Sequence, residues 1–217
     1  LDKLTGKLIW KAGHDLAAYS SPIIVKAGAD ASVAFLNAAA LVVRAVRDGR
    51  ELWRFPWRTS YDVNAATPII AGDAIFISSG YNHGGALVRP SGASGGTAVW
   101  QNREMRNQIN SSVLWEGHLY GFDESALKCV DAATGKTLWR QGGLGKGSLI
   151  LADGKLVIMS ENGKLVIARP SPEKYLFLTG AQVLSKERSW VVPTLANGRI
   201  FCKNNSGEVV VLDVSMK

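Results

Sequence analysis

One nine-residue pattern occurs twice in this chain and constrains its fold more than any other feature. The pattern Asp-x-x-Thr-Gly-Lys-x-x-Trp spans residues 2–10 and returns at residues 131–139. Two less regular copies end at Trp53 and Trp100, so four tryptophans follow one another at intervals of roughly 40 residues. A repeat of this length, rich in strands and ending near a tryptophan, is typical of the blades of a β-propeller.

A second landmark keeps phase with the first. An apolar run, a two-residue turn and another apolar run occur at residues 68–76, 113–120, 149–157 and 193–201. Their turns contain glycine, often beside Asp or Asn, and these residues reach the positive φ that tight hairpins require. Each unit therefore opens with a hairpin, and the apolar runs that follow predict four strands per unit.

Counting the strands predicts four complete blades at residues 20–55, 66–101, 111–140 and 148–178, and three strands at residues 191–214. Residues 1–10 read as a lone fourth strand. Pairing them with residues 209–214 would complete the last blade and leave no open sheet edge. We therefore expect one all-β domain over residues 1–217, a β-propeller of about five four-stranded antiparallel blades. In this prediction the N-terminal strand completes the last blade, or the chain is a piece of a larger ring.

Composition narrows the classes of partner. No segment has the about 18 uninterrupted apolar residues of a membrane helix, so we expect no membrane span. The net charge of +7 would suit a polyanion, but the basic residues are scattered and lack the aromatic pattern of RNA-binding modules, so we expect no nucleic acid partner. Cys129 and Cys202 fall on blades that are not neighbours, which predicts two free thiols.

The repeated blade ending, together with Ser-Pro-Ile-Ile at residues 21–24 and Thr-Pro-Ile-Ile at residues 67–70, resembles the PQQ-like β-propeller repeat. That repeat is shared by quinoprotein alcohol dehydrogenases and by the propeller lipoprotein of the bacterial outer-membrane assembly machine. The stretches at residues 53–68 and 110–115 look like uncharacterised envelope propellers of Planctomycetes-type bacteria. The resemblance implies a periplasmic or cell-envelope location, and relatives with seven or eight blades of which this chain would be roughly the C-terminal half.

The resemblance also raises the question of a cofactor. In quinoprotein dehydrogenases of this repeat type, PQQ lies over the propeller axis beside a bonded pair of adjacent cysteines, a stacking tryptophan and a calcium ion. This sequence has no adjacent cysteines and no evident calcium cluster, and its three histidines share no ligand spacing. We expect no cofactor and no metal, and keep a PQQ-dependent dehydrogenase, with PQQ and calcium, as the alternative that the resemblance implies.

The connections between blades crowd together at one end of a propeller axis, where ligands usually bind. Aligning the blade starts brings aromatic, cationic and amide side chains to this axial funnel. Such a mixture suits a protein partner, or a small-molecule or carbohydrate ligand. The predicted ligand-binding residues are Tyr19, Asn64, Arg106, Asn110, Lys146 and Trp190.

Two carboxylates on these connections, Asp62 and Glu104, are weak catalytic candidates. Glycoside hydrolysis needs only an acid and a base at a suitable separation, which makes a propeller glycoside hydrolase the second alternative. Acidic residues are common in polar loops, however, and the once-per-blade tryptophans are expected to pack neighbouring blades together. The sequence is therefore interpreted as a non-catalytic ligand- or protein-binding scaffold of the bacterial cell envelope.

Overall fold

The computed structural model describes residues 1–215, which form nineteen β-strands and no α-helix. The strands fall into five groups, called blades 1 to 5 in chain order. Blade 1 contains β1 Ile23–Lys26, β2 Ser32–Leu36, β3 Ala40–Ala45 and β4 Glu51–Pro56. Blade 2 contains β5 Ile69–Ala71, β6 Ala74–Ser79, β7 Gly84–Ser91 and β8 Gly95–Asn102. Blade 3 contains β9 Val113–Trp115, β10 His118–Asp123, β11 Ala126–Asp131 and β12 Thr137–Gln141.

The last two groups complete the arrangement. Blade 4 contains β13 Ser148–Ala152, β14 Lys155–Met159, β15 Lys164–Arg169 and β16 Leu176–Gln182. Blade 5 contains β17 Thr194–Ala196, β18 Arg199–Lys203 and β19 Val209–Asp213. Successive strands within each blade pair antiparallel, so the predicted division into blades is confirmed. Because the described residues contain no helix, they also contain no helix able to cross a membrane.

The Asp-x-x-Thr-Gly pattern forms a tight turn between the third and fourth strands. One carboxylate oxygen of Asp131 accepts hydrogen bonds from the backbone N–H and the hydroxyl of Thr134, both at 2.7 Å. These bonds lower the pKa of Asp131, the hydroxyl contributing most. Gly135 follows with a φ of +71°, which an L side chain rarely adopts. The same bonds recur between Asp2 and Thr5, so the sequence repeat is a repeat of turn geometry.

Three tryptophans bond to the blade that follows them in the sequence. The indole N–H groups of Trp10, Trp100 and Trp139 donate to the backbone carbonyls of Val46, Ala132 and Ser171, with N···O distances of 2.7, 2.9 and 2.8 Å. Each acceptor lies just after a third strand. Glycines make room for the rings, since a Cβ added to Gly49 or Gly135 would lie within 2.6 Å of an indole carbon. In this structure Trp100 and Trp139 therefore lie between neighbouring blades.

The pairing register fixes where each tryptophan stands. Trp53, Trp100 and Trp139 all pair with the third-strand residue that precedes a β-bulge. In blade 4, Thr179 occupies this position and pairs with Ile167. The sequence prediction placed this fourth strand at residues 174–178, whereas β16 runs from Leu176 to Gln182, because without a tryptophan the sequence has no marker of the register.

The hydrophobic core lies mainly between neighbouring blades. One cluster joins Phe76 and Leu87 of blade 2 to Leu119 and Val130 of blade 3. Equivalent clusters lie between blades 3 and 4 and between blades 4 and 5. Each blade thus buries its apolar side chains only when another blade covers them, as expected for a repeat architecture.

Blades 1 and 2 are also joined by backbone bonding. Their outer strands, β4 and β8, meet at one parallel bridge between Arg54 and Gly95, where the Arg54 N–H donates to the Ser94 carbonyl at 3.1 Å. The two blades therefore form one eight-stranded sheet in the order β1-β2-β3-β4-β8-β7-β6-β5.

The N-terminal segment corrects one prediction. Residues 1–22 contain no strand, and blade 5 has three strands within the described residues. Leu8 and Ile9 are 66% and 62% exposed, and within residues 1–215 no backbone hydrogen bond joins residues 7–10 to β19. The segment is instead held through Trp10 on blade 1. The N-terminal strand therefore does not complete the last blade, because the indole contact directs the segment to the blade that follows it in sequence.

Substituting alanine for Gly135 tests the role of glycine beneath the indole. The new methyl group would meet the Trp100 ring and would also require a positive φ. We expect Gly135→Ala to lower the free energy of unfolding by about 2–4 kcal/mol, since overpacking adds to backbone strain. Gly117→Ala is the matched control in the same blade, with a φ of +78° and no heavy atom near its Cβ, and should cost about 1–2 kcal/mol. Urea unfolding measures both, and equal losses would contradict the packing role.

A candidate binding surface at the blade connections

The starts of successive blades lie side by side, as the alignment of the sequence predicts. The backbone N–H groups of Tyr19 and Ser20 donate to the Asn64 carbonyl. Three further bonds join the starts of the later blades. They run from Thr67 N–H to the Ser111 hydroxyl, from the Asn110 side-chain amide to the Gly147 carbonyl, and from the Ser148 hydroxyl to the Val191 carbonyl. The connections between blades therefore form one continuous surface, called here the connection surface.

A second set of turns clamps these connections. The turn between the second and third strands of a blade donates a backbone N–H to a carbonyl of the connection that leads into that blade. This bond occurs in blades 1, 3, 4 and 5, from Ala38 to Leu16, Glu124 to Arg106, Glu161 to Leu144 and Asn205 to Arg188. The connection surface thus consists of connections and hairpin turns together, and side chains on both can meet a ligand.

Tyrosines dominate the part of this surface beside blades 1 and 2. Tyr19, Tyr61 and Tyr81 are 78%, 68% and 49% exposed, and the rings of Tyr61 and Tyr81 meet edge to face with centroids 5.1 Å apart. Exposed Leu16 and Asp62 join Tyr19 and Tyr61 around a groove of about 420 Å³. We call Leu16, Tyr19, Tyr61 and Tyr81 the tyrosine patch.

Backbone strain coincides with the tyrosine patch. Asp62, Tyr81 and Asn82 have φ values of +54°, +53° and +61°. Residues other than glycine rarely adopt this left-handed conformation, and such residues cluster at binding and catalytic sites. Asp62 lies in the connection between blades 1 and 2, and Tyr81 and Asn82 lie in the turn between β6 and β7.

A polar cluster surrounds Lys146 and Trp190 at the other end of the connection surface. The Lys146 ammonium donates to the Gln108 side-chain carbonyl and lies 3.9 Å from a Glu124 oxygen. Glu161 links the two predicted residues, because its carboxylate accepts from the Lys146 backbone N–H at 3.1 Å and from the Trp190 indole at 3.0 Å. The structure therefore brings Lys146 and Trp190 to one carboxylate.

Trp190 is further held by its neighbours. The Arg188 guanidinium lies 4.4 Å from the centroid of its ring, a cation–π contact, and the Trp190 backbone N–H donates to the Asn205 side chain at 3.0 Å. The ring is partly buried. Trp190 therefore stands at the surface in a fixed orientation.

The two predicted asparagines lie deeper than a ligand-binding role requires. Asn64 is fully buried. Its amide donates to the carbonyls of Asn37 and Ala38 at 2.8 and 3.2 Å, and its oxygen accepts from the Ser79 hydroxyl at 2.6 Å. Asn110 is also buried. Both side chains organise the backbone of the connections in this structure.

Arg106 and Glu104 belong to a charge network around buried Asp123. Arg106 donates two side-chain bonds to the Asp123 carboxylate, at 2.6 and 2.9 Å, and Lys128 lies 2.8 Å from it. Burial alone would raise the pKa of Asp123, but the bonds from Arg106 and Lys128 outweigh that effect and hold the pKa below its usual value. Glu104 accepts a hydrogen bond from the Thr137 hydroxyl at 2.6 Å and lies 3.7 Å from the Lys128 ammonium.

The two catalytic candidates thus have different surroundings. Asp62 is exposed beside the tyrosine patch, whereas Glu104 is engaged with Thr137 and Lys128 between blades 2 and 3. A glycoside hydrolase needs two carboxylates on either side of one substrate bond. The observed contacts give Glu104 a structural partner and give Asp62 no neighbouring carboxylate that shares its groove.

The cysteines and the potential metal ligands of this chain bear on whether it could hold a quinone cofactor. Cys129 and Cys202 are separate, buried free thiols, and burial raises the pKa of Cys129 to about 11, so this thiol is protonated at neutral pH. Residues 1–215 contain no group of three or more His, Cys, Asp or Glu side chains arranged to hold a metal ion. Cys129 and Cys202 are therefore not the bonded adjacent pair that accompanies PQQ in the dehydrogenases.

Sequence reasoning missed several residues of the connection surface. Tyr61, Tyr81, Glu161 and Asp123 were not selected, because only the blade starts had been aligned. Tyr81, Glu124 and Glu161 all follow a second strand of a blade. Aligning these second hairpin turns in the same way would have identified Tyr81, Glu124 and Glu161.

Removing the Asp123 charge tests the buried network. We expect Asp123→Asn to lower the free energy of unfolding at pH 7 by about 3–5 kcal/mol, because Arg106 and Lys128 would lose their buried partner. The folded-state pKa of Asp123 is depressed, so its stabilisation is present above the ordinary pKa of about 3.9 and is lost as the pH falls through the depressed value. The difference from the wild type should therefore shrink only below about pH 4. Urea unfolding from pH 7 to pH 3 measures this, and a constant difference would contradict the electrostatic explanation.

Comparison with known proteins agrees with the arrangement of blades. BamB from Moraxella catarrhalis superposes with a TM-score of 0.61 at 15% sequence identity, over 91% of this chain and 60% of that protein. Sqt1 from Saccharomyces cerevisiae superposes with a TM-score of 0.65 at 12% identity, over 90% of this chain and 59% of that protein. This chain therefore spans about three fifths of the length of these solved proteins. At these identities the likeness concerns the fold, and it confirms the β-propeller.

Sequence comparison identifies the family. A search of curated proteins finds no significant match. The family described as outer membrane protein assembly factor BamB matches residues 1–126 and again residues 123–216. Because the two matches together cover nearly all of the sequence, this chain belongs to the family of the outer membrane protein assembly factor BamB.

Proposed function

We propose that this chain is a non-catalytic, protein-binding propeller scaffold of the bacterial cell envelope, and that its partner binds at the tyrosine patch. The observation that carries the proposal is the exposure of three tyrosines and a leucine on one strained part of the connection surface. Large apolar side chains gathered at a surface mark interaction sites. Tyrosine is also enriched where proteins meet, since it offers a large rigid ring and a hydroxyl.

The family supports the same class of function. The family description names a factor for the assembly of outer membrane proteins, and such a factor would act through contacts with other proteins. A propeller suits this role because its sheets hold loops from several blades in fixed positions. The envelope location of this chain is part of the proposal.

The polar residues of the connection surface support a binding role over a catalytic one. Arg106, Lys146 and Glu161 are held by neighbouring side chains or backbone groups, so they shape the surface. The proposal includes no cofactor, since the adjacent cysteines that accompany PQQ in the dehydrogenases are missing from the sequence. A small-molecule or carbohydrate ligand would use the same groove. Crosslinking and binding measurements distinguish such a ligand from a protein partner.

Site-specific photocrosslinking in the bacterial envelope tests the proposal. A benzophenone amino acid at position 61 should form a discrete protein adduct, because this side chain is exposed within the patch. The same amino acid at position 138, an exposed site on β12 away from the patch, is the matched control and should form none. Replacing Tyr19 and Tyr81 by serine should reduce the adduct at position 61 by about fivefold or more, since aromatic residues contribute most of the binding energy of interfaces.

The opposite results are equally clear. Equal adducts at positions 61 and 138, or none at position 61, would contradict a protein partner at this patch. Saturable binding of an oligosaccharide by the purified chain, lost on replacing the same tyrosines, would assign the groove to a carbohydrate instead. Unchanged melting temperatures of the variants establish that the fold is intact.

A further inference from the structure

The contact between blades 2 and 3 shows how a tryptophan fills the space between two blades. Trp100 packs among apolar side chains of both blades, and its indole N–H bonds to the carbonyl after the third strand of blade 3. Blade 2 contributes Ala71, Ala74, Phe76 and Leu87, and blade 3 contributes Leu114, Leu119 and Ala132. We call this space the tryptophan slot.

The equivalent space between blades 4 and 5 is a cavity of about 560 Å³. Six of the seven apolar positions of the tryptophan slot have apolar counterparts in its lining when the hairpins are aligned, and the seventh, Ala74, corresponds to Lys155. Ala152, Val157 and Ile167 take the places of Ala71, Phe76 and Leu87, and Leu195, Ile200 and Val214 take the places of Leu114, Leu119 and Ala132. The cavity is therefore a tryptophan slot built from the corresponding residues of the next repeats.

Two backbone bonds establish that Val214 corresponds to the acceptor residue. The N–H of Ala132 donates to the carbonyl of Gly117 at 3.0 Å, and the N–H of Val214 donates to the carbonyl of Gly198 at 2.8 Å. Both glycines lie in the first hairpin turn of their blades. The Val214 carbonyl is thus the counterpart of the group that accepts the Trp100 indole bond.

Blade 4 does not supply an aromatic ring to this slot. Thr179 stands where the other blades carry tryptophan, as its pairing with Ile167 before the bulge shows, and it is exposed. Val157 is also smaller than its counterpart Phe76. Most of the lining stays apolar, while the side chain that fills the slot between blades 2 and 3 is replaced by a small polar one.

We propose that this cavity binds the indole ring of a tryptophan presented by a partner polypeptide. The two filled slots between blades define the chemistry, because in each a tryptophan packs on apolar side chains and donates its N–H to a carbonyl after a third strand. The volume lies within the range of small-ligand pockets, and tryptophan is the residue most enriched at the centres of protein interfaces. Leu195 and Val214 are exposed at its border, so the ring enters from solvent.

This site is distinct from the tyrosine patch. It lies against the first hairpin turns of blades 4 and 5, at Asp153 and Asn197, whereas the patch lies on the connections of blades 1 and 2. Evidence against one of the two proposals would therefore leave the other unaffected.

Calorimetric titration of the whole chain tests the site with three blocked pentapeptides. The probes are Gly-Gly-Trp-Gly-Gly, the same peptide with 1-methyltryptophan, and Gly-Gly-Leu-Gly-Gly. We expect the tryptophan peptide to bind saturably with a dissociation constant at or below about 1 mM. The methylated peptide should bind about fivefold more weakly, because it cannot donate the bond to Val214. The leucine peptide should bind more weakly than either.

Filling the slot from the chain itself provides the decisive variant. Thr179→Trp should abolish binding of the tryptophan peptide and raise the melting temperature, since the new ring takes the place that Trp100 takes between blades 2 and 3. Thr179→Ser is the matched control and should bind the peptide as the wild type does. If Thr179→Trp does not fold, Ile167→Asp is tested in its place. This substitution puts a charge in the lining of the cavity and should remove binding of the tryptophan peptide.

Four results would overturn the proposal. They are absence of saturable binding to the wild type, equal binding of the leucine and tryptophan peptides, undiminished binding to Thr179→Trp or Ile167→Asp in the folded state, and self-association of the wild type that Thr179→Trp abolishes. The last result would assign the cavity to a second copy of this chain.

Discussion

The bond between an indole N–H and a carbonyl of the following blade is the interaction on which the rest of the structure depends. It is made by Trp10, Trp100 and Trp139, and the rings of Trp100 and Trp139 also pack on apolar side chains shared by two blades. A single neutral hydrogen bond stabilises by only about 1 kcal/mol, but between blades 2 and 3 and between blades 3 and 4 its direction constrains how one blade sits on the next. Packing of neighbouring blades in this way brings the blade connections together, where the tyrosine patch and the Lys146 cluster form.

The sequence predicted what is local and repeated. Strand number, the turns with positive φ and the packing of tryptophans all follow from residues within one repeat, so the division into blades could be read before any coordinates. The position of residues 1–10 could not be predicted in this way. Their pairing with β19 was inferred from the number of strands and from the cost of an open sheet edge, whereas Trp10 makes a contact with blade 1 that the repeat itself specifies. The same logic, applied to Trp10 as to Trp139, would have given the observed position.

The predicted ligand-binding residues differ in how far the structure exposes them. Aligned blade starts placed Tyr19, Lys146 and Trp190 on the connection surface, where the structure has them. Asn64 follows the same alignment yet is buried, because whether an amide faces solvent or the backbone depends on the hairpin turn that packs over it. Glu161 was missed because the hairpin turn that carries it is distant in sequence from Lys146 and Trp190, the two residues that it joins.

The parallel bridge between β4 and β8 sets the first two blades apart from the others. Main-chain bonding unites them into one sheet, while the later blades adhere to one another through side chains. In a solenoid-like array, the free energy that couples adjacent units decides whether they open singly or in concert. The bridge adds one backbone bond to the apolar cluster that blades 1 and 2 share, so we expect these two blades to open together, and the tyrosine patch draws on both.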